Sequence, residues 1–501
     1  MRPCNPLVEL CCKYTTFFEK TTTRDRVNRQ FLISVPERNT MNAEKITDII
    51  VIGGGAAGLA AAVAAARAGA SVLVLEKMPR PGRKIMITGK GRCNFTNVKP
   101  WDGFSRHIRS KAQFLRPAFF NFPPEQVIAF LREQGVETVV ERGDRAFPAS
   151  HKASDVVDAL AGAAMRAGVR IETGSAAKRI SGDDEGFTVE CYCRTFRSRR
   201  LILATGGLSY PGTGSTGDGY AWAAQFGHTL RPCFPSLTAL VPKGYKLPGT
   251  GETTLPADYP SPKGHIDRST ELTEIGKSLC GNAIKNAGVT LYSGPDVLRD
   301  EFGDLDFTDG GIEGPIGFAV SRDAVKALLN GAKVRLRIDL KPGVAPEELL
   351  SRLKALLNEI LRDPRSKRLG IKEILRVLLG RVLPWELIPG FLRCHPQMLA
   401  GRRGNERIDL GAVADALQAW DFDIEGFVGY ERCVVTAGGV ATEEVFPKTM
   451  ESRLRNGLYL CGELLDIDAD TGGYNLQAAF STGWLAGQSA ARSLKQAVEG
   501  A

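Results

Sequence analysis

Gly53, Gly55 and Gly58 stand in the order G-x-G-x-x-G within IGGGAAGL, and Glu76 follows them across one βα length of chain. These residue types at this spacing suit a dinucleotide. Gly53 permits a tight turn, Gly55 lets the backbone approach a pyrophosphate, and Gly58 allows a helix to lie close on a strand. Ala56 and Ala57 open that helix, whose unpaired N–H groups and positive dipole end favour an anion. A carboxylate at Glu76 suits ribose hydroxyls and disfavours a 2′-phosphate, so FAD or NAD is expected here rather than NADP.

The elements needed to hold these residues are legible around them. IIVI is a short apolar run ended by glycines, as expected of a buried parallel strand. An Ala-rich helix over Ala56 to Ala68 ends at Gly69, and SVLVLE supplies the second strand. A simple dehydrogenase would continue with further βα units. Here the chain instead passes Lys77 and enters MPRPGRKIMITGKGRCNFTN, whose glycines and basic residues Arg80, Arg83, Lys84, Lys90 and Arg92 suit a loop around an extended phosphate-bearing cofactor. That favours a flavin. Near the other end, GLYLCGELLDIDADTGGYNLQ carries a strand, an acidic loop and a helix opening at Thr471-Gly472-Gly473. Such a helix start can face the flavin pyrimidine edge, where reduction places negative charge. The acids Glu463, Asp466, Asp468 and Asp470 lack EF-hand spacing, and no metal site is expected.

A second G-x-G-x-x-G lies in GTGSTGDG, Gly212 to Gly219. It follows the strand RLILA only after TGGLSYP, and no acidic residue closes a later strand, so an independent nicotinamide domain is not expected there. Thr216, Gly217 and Asp218 are expected to open a helix beside the cofactor or substrate cavity.

Taken together, VIGGGAAGLAAA, GRKIMITGKGRCNFTN, LILATGGLSYPGTGSTGDGYAWAAQFGH, FTDGGIEGPIGF, VTAGGV and GLYLCGELLDIDADTGGYNLQAAFSTGW resemble a family of bacterial FAD flavoproteins. These are NAD(P)/FAD-dependent oxidoreductases, among them aminoacetone oxidase-like proteins and an enone reductase of bile-acid dehydroxylation. The resemblance runs from about Thr47 to Ala491. It implies an α/β fold: a Rossmann-type FAD-binding domain split between the two ends of the chain, with a β-rich middle domain and a small helical insertion. It further implies that Gly89 to Asn94, including Gly91, Arg92, Cys93 and Asn94, lie along the flavin side. Gly462 and Glu463 would reach the ribitol or diphosphate, and Gly472, Gly473, Asn475 and Leu476 the isoalloxazine edge. Ala177 would offer backbone atoms to the adenine, and Thr205 and Gly206 would close over the nucleotide. Lys90 stands where the family generally has glycine.

The expected organisation is a disordered extension over 1–44, FAD-binding parts over 45–231 and 441–501, β-rich parts over 232–342 and 405–440, and a helical insertion over 343–404 that serves as a lid or wall. The stretch from Pro242 to Lys277 is a long polar excursion. No catalytic residue can be assigned. The five histidines form no triad or metal set, Cys93 reads as a packed thiol, and Tyr474 and Glu463 are candidates for handling protons near a flavin.

The chain of 501 residues is 43% hydrophobic and 24% charged, ordinary for a globular protein. Its 65 basic and 56 acidic residues are scattered, so no nucleic-acid partner is expected. Eleven cysteines without C-x-x-C pairs fit reduced thiols and a cytoplasmic location. No apolar run is long enough for an integral membrane segment, and the oligomeric state is not readable. The expected activity is NAD(P)H-dependent reduction of an activated C=C bond in a small-molecule substrate, with FAD as hydride carrier and NADH or NADPH as transient reductant. The alternatives are an oxygen-using amine or aminoketone oxidase, and an FAD-holding binding protein.

Overall fold

The computed structural model describes residues 46–251, 259–400 and 407–499. The extension expected over 1–44 lies outside them, as do residues 252–258 of the Pro242 to Lys277 excursion. Strand β1 (Thr47–Ile52) pairs in parallel with β2 (Val72–Leu75), Ile49 opposite Val72 and Ile52 opposite Leu75. Both strands are covered on two faces, which is why they read as continuous apolar runs rather than as alternation. Helix α1 (Ala56–Arg67) connects them.

The sheet runs Arg170–Glu172, β2, β1, Thr195–Leu203. The far edge of Thr195–Leu203 is shared. The hairpin strand Gly186–Glu190 pairs antiparallel along its first half, and Leu458–Leu460 pairs parallel along Leu201 to Leu203. The last strand of the chain therefore completes the sheet begun by the first.

The carboxy-terminal helix, Tyr474–Glu499, packs along α1. Gly483 and Gly487 sit one helical turn apart, and a methyl group on either would overlap the carbonyl of Ala57 or Ala61. Two glycines against an alanine-lined face let the helix backbones approach closely, so the two chain ends form one apolar core.

A closed barrel forms the middle, in the order Leu240–Pro242, Gly311–Glu313, Asp296–Thr308, Ala283–Ser293, Val334–Asp339, Trp420–Phe427. Val334–Asp339 and most of Trp420–Phe427 alternate buried and half-buried or exposed residues, the pattern of a strand with one face inward. The β-rich reading missed the helices Glu274–Leu279, Gly314–Leu329 and Leu410–Gln418; the longest, Gly314–Leu329, buries Ile316, Val320, Ala324 and Val325 at helical spacing. Helices Pro346–Arg362, Ile371–Gly380, Ile388–Cys394 and Leu410–Gln418 turn apolar stripes such as Leu349, Leu353 and Ile360 into the same core as the barrel.

One buried ion pair ties the barrel to the nucleotide domain. Asp468, fully buried, accepts from Arg322 Nε at 2.6 Å and Nη2 at 3.0 Å, and from Ser110 Oγ at 3.0 Å. Asp470 accepts from Arg109 at 2.5 Å and lies 3.0 Å from His107 Nδ1. These two acids thus bind side chains of the protein itself. Among the described residues no helix is long and apolar enough to cross a membrane.

Candidate cofactor site

The carboxyl ends of the parallel strands open onto a cleft of about 900 Å³. Ile52, Gly53, Leu75, Glu76, Ala204 and Thr205 line it where their strands end. Ligands gather at such strand ends because the loops there are free to vary and helix N-termini point inward. Two helices do so here: Gly55, Ala56 and Ala57 from α1, and Gly473, Asn475 and Leu476 from the carboxy-terminal helix, all lining the cleft.

The three fingerprint glycines divide their work. Gly53 has φ 102°, and a side chain there would come within 2.6 Å of the Ala204 carbonyl. A methyl at Gly58 would overlap the Gly53 carbonyl, so this glycine serves close packing and does not itself line the cleft. A methyl at Gly55 would meet nothing within 4 Å. That open space, beside free N–H groups of a twelve-residue helix, is the cradle a diphosphate requires.

Glu76 is 8% exposed and lines the cleft. Its Oε2 accepts from Gly54 N and its Oε1 from Met78 N, both at 2.7 Å. Burial raises its pKa, opposed by those two backbone hydrogen bonds. Each oxygen retains a lone pair for a ribose hydroxyl. Lys77 donates to Thr216 Oγ1 and to Asp218 Oδ2, the latter at 2.7 Å, so the second glycine motif is pinned to the first. Thr213, Gly214, Ser215 and Asp218 line the same cleft, and the following strand, Leu230–Ser236, pairs antiparallel with Val435–Val440. The second fingerprint is a wall of the first site.

Lys84 donates to Ser209 Oγ and, at 2.6 Å, to Glu463 Oε2. The other Glu463 oxygen accepts from Ser209 Oγ at 2.7 Å and Thr436 N at 2.8 Å. The Glu463 carboxyl is therefore fixed in place by Lys84, Ser209 and Thr436. Arg92 pairs with Glu141 and lies over the Phe147 ring, 4.4 Å from its centroid. Asn94 lines the cleft with a buried Oδ1 that has no hydrogen-bond partner among the described residues. An orphaned acceptor of this kind calls for a donor from a bound group, and a flavin carries one at its ring N–H. Together with the Gly55 cradle, this donor and acceptor set fits FAD.

Arg83, Ala177, Gly206, Gly462 and Gly472 also line the cleft, as does Lys90. Lys90 has φ 58°, a conformation in which glycine is the undemanding residue, which accounts for the glycine common at this position in the resembling family. Asn475 lines the cleft, but its side chain is spent on Ala469 N, Ala469 O and Asp470 O. Gly91 and Cys93 do not line it. Cys93 is fully buried, and burial pushes its thiol up to about 12. Tyr474 does not line it either. Its ring stacks on His107 at 4.3 Å, and burial raises its phenol, so its expected proton role is not borne by this geometry. Among the described residues, none of the helical insertion lines the cleft, where a lid or wall was expected.

Sequence reasoning missed the far wall. Tyr210, Leu237, Arg268, Asp306, Thr308, Glu313, Phe318, Arg432 and Val434 line the cleft from the barrel side and its connections. Arg432 holds Glu313 at 2.6 Å through Nε and Asp309 at 2.8 Å through Nη1, and Arg268 holds Asp309 at 3.0 Å. The signal available was the non-glycine residue Tyr210 inside a glycine-rich loop, which has φ 53°.

Residues 47–489 match the family model described as HI0933-like protein Rossmann domain. A 3-dehydro-bile acid delta(4,6)-reductase of Clostridium scindens is 33% identical over 88% of this chain and 98% of that protein. Ribosomal RNA dihydrouridine synthases of Escherichia coli and Haemophilus influenzae are 30% and 29% identical, over 88% of this chain and 97% and 98% of theirs. Two relatives named for RNA leave the expected exclusion of nucleic acid without support. With the family matched from β1 into the carboxy-terminal helix, this chain belongs to the HI0933-like family and is an FAD-dependent oxidoreductase of Rossmann fold.

Proposed function

We propose that the protein reduces a C=C bond conjugated to a carbonyl, using NADH or NADPH to recharge the flavin. FAD, when bound, supplies a two-electron hydride carrier. The chain supplies the rest. The N-terminus of α1 and the space at Gly55 hold the diphosphate, Glu76 the ribose, and Asn94 and the start of the carboxy-terminal helix the ring edge. Lys84 and Glu463, locked to Ser209 and Thr436, keep the segment after Leu458–Leu460 in register with the loop after β2.

The observation that carries the reading is the continuity of one cleft from these strand ends to a barrel wall of Leu237, Phe318 and Val434 set among Tyr210, Thr308 and Arg432. Apolar surface with a few convergent polar groups suits a largely hydrocarbon ligand bearing a carbonyl. The same chemistry unites the relatives: a steroid dienone and the uracil ring both offer a C=C conjugated to C=O, reducible by hydride addition at its far carbon. We further propose that no second Rossmann domain receives the nicotinamide, which visits the flavin directly.

An RNA substrate is a second reading, favoured by the helical insertion. Between 343 and 408 there are 13 Lys and Arg against 7 Asp and Glu, and Arg362, Lys367, Arg368 and Arg376 are exposed. Anaerobic mixing tests the reaction: NADH or NADPH should bleach the flavin band, and a 3-oxo-4-ene steroid or a uridine-bearing RNA should restore it. Bleaching by amines but not by nicotinamides would instead establish the oxidase.

A further inference from the structure

Hydride addition to a conjugated C=C leaves an enolate, and its α-carbon must then receive a proton. From the geometry of the barrel-side wall we propose that Tyr210 delivers that proton, with Arg432 steadying the phenolate left behind. The proposal rests on the conjugated-alkene reading above and names its acid.

Most acids lining the cleft are already committed. Glu463 is tied by Lys84, Ser209 and Thr436 N; Asp218 by Lys77; Glu313 by Arg432; Asp470 by Arg109 and His107. Each of these carboxyl groups is already engaged by a cation or a set of donors of the protein itself. Tyr210 differs. Among the described residues no hydrogen bond engages its hydroxyl, whereas its backbone is anchored, Tyr210 N donating to Tyr430 O at 2.8 Å. It lines the cleft with a left-handed backbone, φ 53° and ψ 63°, between Ser209 of the Lys84–Glu463 network and the turn Pro211–Thr213. An aromatic residue in that region is strained and persists where its surroundings over-determine it, commonly at functional sites. Here that conformation belongs to a residue on the cleft wall, in a loop that is otherwise glycine-rich.

The charged and titratable groups acting on the hydroxyl come from three elements: Arg432 and Cys433 from the segment before Val435–Val440, Glu313 from the barrel, and Arg268 from the excursion. Burial raises the phenol, and Arg432 opposes it, so Tyr210 is protonated at neutral pH with a cation at hand for its conjugate base. Arg432 cannot swing away, because Asp309 and Glu313 hold it from both sides.

The step balances. With FAD bound and reduced, a hydride would be supplied to form the new C–H bond at the β-carbon, and the C=C pair would move to the carbonyl as enolate. The enolate pair then takes the proton of the Tyr210 O–H at the α-carbon, and the phenolate recovers a proton from water. The substrate gains two electrons and two hydrogens, and the flavin is oxidised by two electrons.

The test uses the FAD-loaded protein and its Tyr210→Phe variant, which keeps the ring and the backbone. Both are pre-reduced anaerobically with NADPH or dithionite and mixed with androst-4-ene-3,17-dione and with uridine-bearing RNA. The expected result is an oxidative half-reaction slowed by 100-fold or more in the variant, with flavin reduction and ligand dissociation constants within about 3-fold of wild type. In D₂O the wild type should show a solvent isotope effect and place one deuteron at the α-carbon of the product. Its rate should fall at alkaline pH as the phenol ionises, and this limb should vanish in the variant. Equal rates in both proteins, or a loss found in Asp306→Asn and not in Tyr210→Phe, would overturn Tyr210 alone and leave the reaction standing. If wild type reduces neither probe while its flavin is readily reduced, the conjugated-alkene reading and the acid assigned from it both fall. A variant that binds neither FAD nor ligand would assign Tyr210 to scaffold and overturn the proposal.

Discussion

Replacing Gly55 by alanine separates the cofactor cradle from the scaffold that supports it. The backbone at Gly55 has φ −82°, open to any residue, and the added methyl would meet no protein atom within 4 Å. Alanine is a poorer N-cap than glycine, but it restricts the unfolded chain, which favours folding by about 0.4–1 kcal/mol. These offset, so the apoprotein should change in stability by less than about 1 kcal/mol. The methyl nevertheless stands where the diphosphate must pass, and overfilling a close contact costs about 1–3 kcal/mol, or roughly 5- to 150-fold in the FAD dissociation constant. Gly58→Ala should behave oppositely: its methyl overlaps the Gly53 carbonyl, which backbone cannot yield cheaply, so the apoprotein itself should lose about 1–3 kcal/mol or more. Urea unfolding of both apoproteins by circular dichroism, with FAD titration by fluorescence quenching, reads the two effects apart. If Gly55→Ala bound FAD as tightly as wild type, the diphosphate would not cross this turn and the cradle argument would fail.

Three further outcomes follow from the same structure. Lys84→Met strands Glu463, only 19% exposed, and should cost about 1–3 kcal/mol. Combining it with Glu463→Gln should cost less than the sum of the two, and additive losses would mean that the pair is not coupled. For His265, burial disfavours the charge, but the Glu431 hydrogen bond together with the charges of Glu431 and Asp267 outweighs it and the pKa is raised. Its stabilising contribution is therefore complete below the ordinary imidazole value of about 6.5 and is lost as pH rises through the folded value. Subtracting the stability–pH curve of His265→Gln from that of wild type should reveal that loss, and a flat difference would refute it. With its thiol pushed up to about 12 and fully buried, Cys93 should resist iodoacetamide at pH 8 in the native protein, whereas exposed Cys193 should be alkylated first. Mass spectrometry distinguishes the two.

The amino acids alone determine the parts of this protein whose physics is local. Gly53, Gly55, Gly58 and Glu76 lie within one βαβ unit whose turn and helix start are local, so their spacing marks that unit, whereas the Ala204 carbonyl that crowds Gly53 comes from the end of a distant strand. The apolar runs of β1 and β2 are legible for the same reason: burial on both faces leaves an unbroken signature. Tertiary structure alone decided what depends on distant partners. Lys84 meets Glu463 across 379 positions, and Gly483 and Gly487 matter only because Ala57 and Ala61 lie against them. The helix Gly314–Leu329 was hidden behind a glycine-rich strand turn whose pattern resembled more sheet. The second fingerprint shows the division most clearly. Its glycines carry the same letters as the first, but the strand after them, Leu230–Ser236, pairs antiparallel with Val435–Val440 from beyond the barrel. A glycine motif specifies which backbone conformations are permitted, and only the strands and helices packed around it decide what that permission is used for.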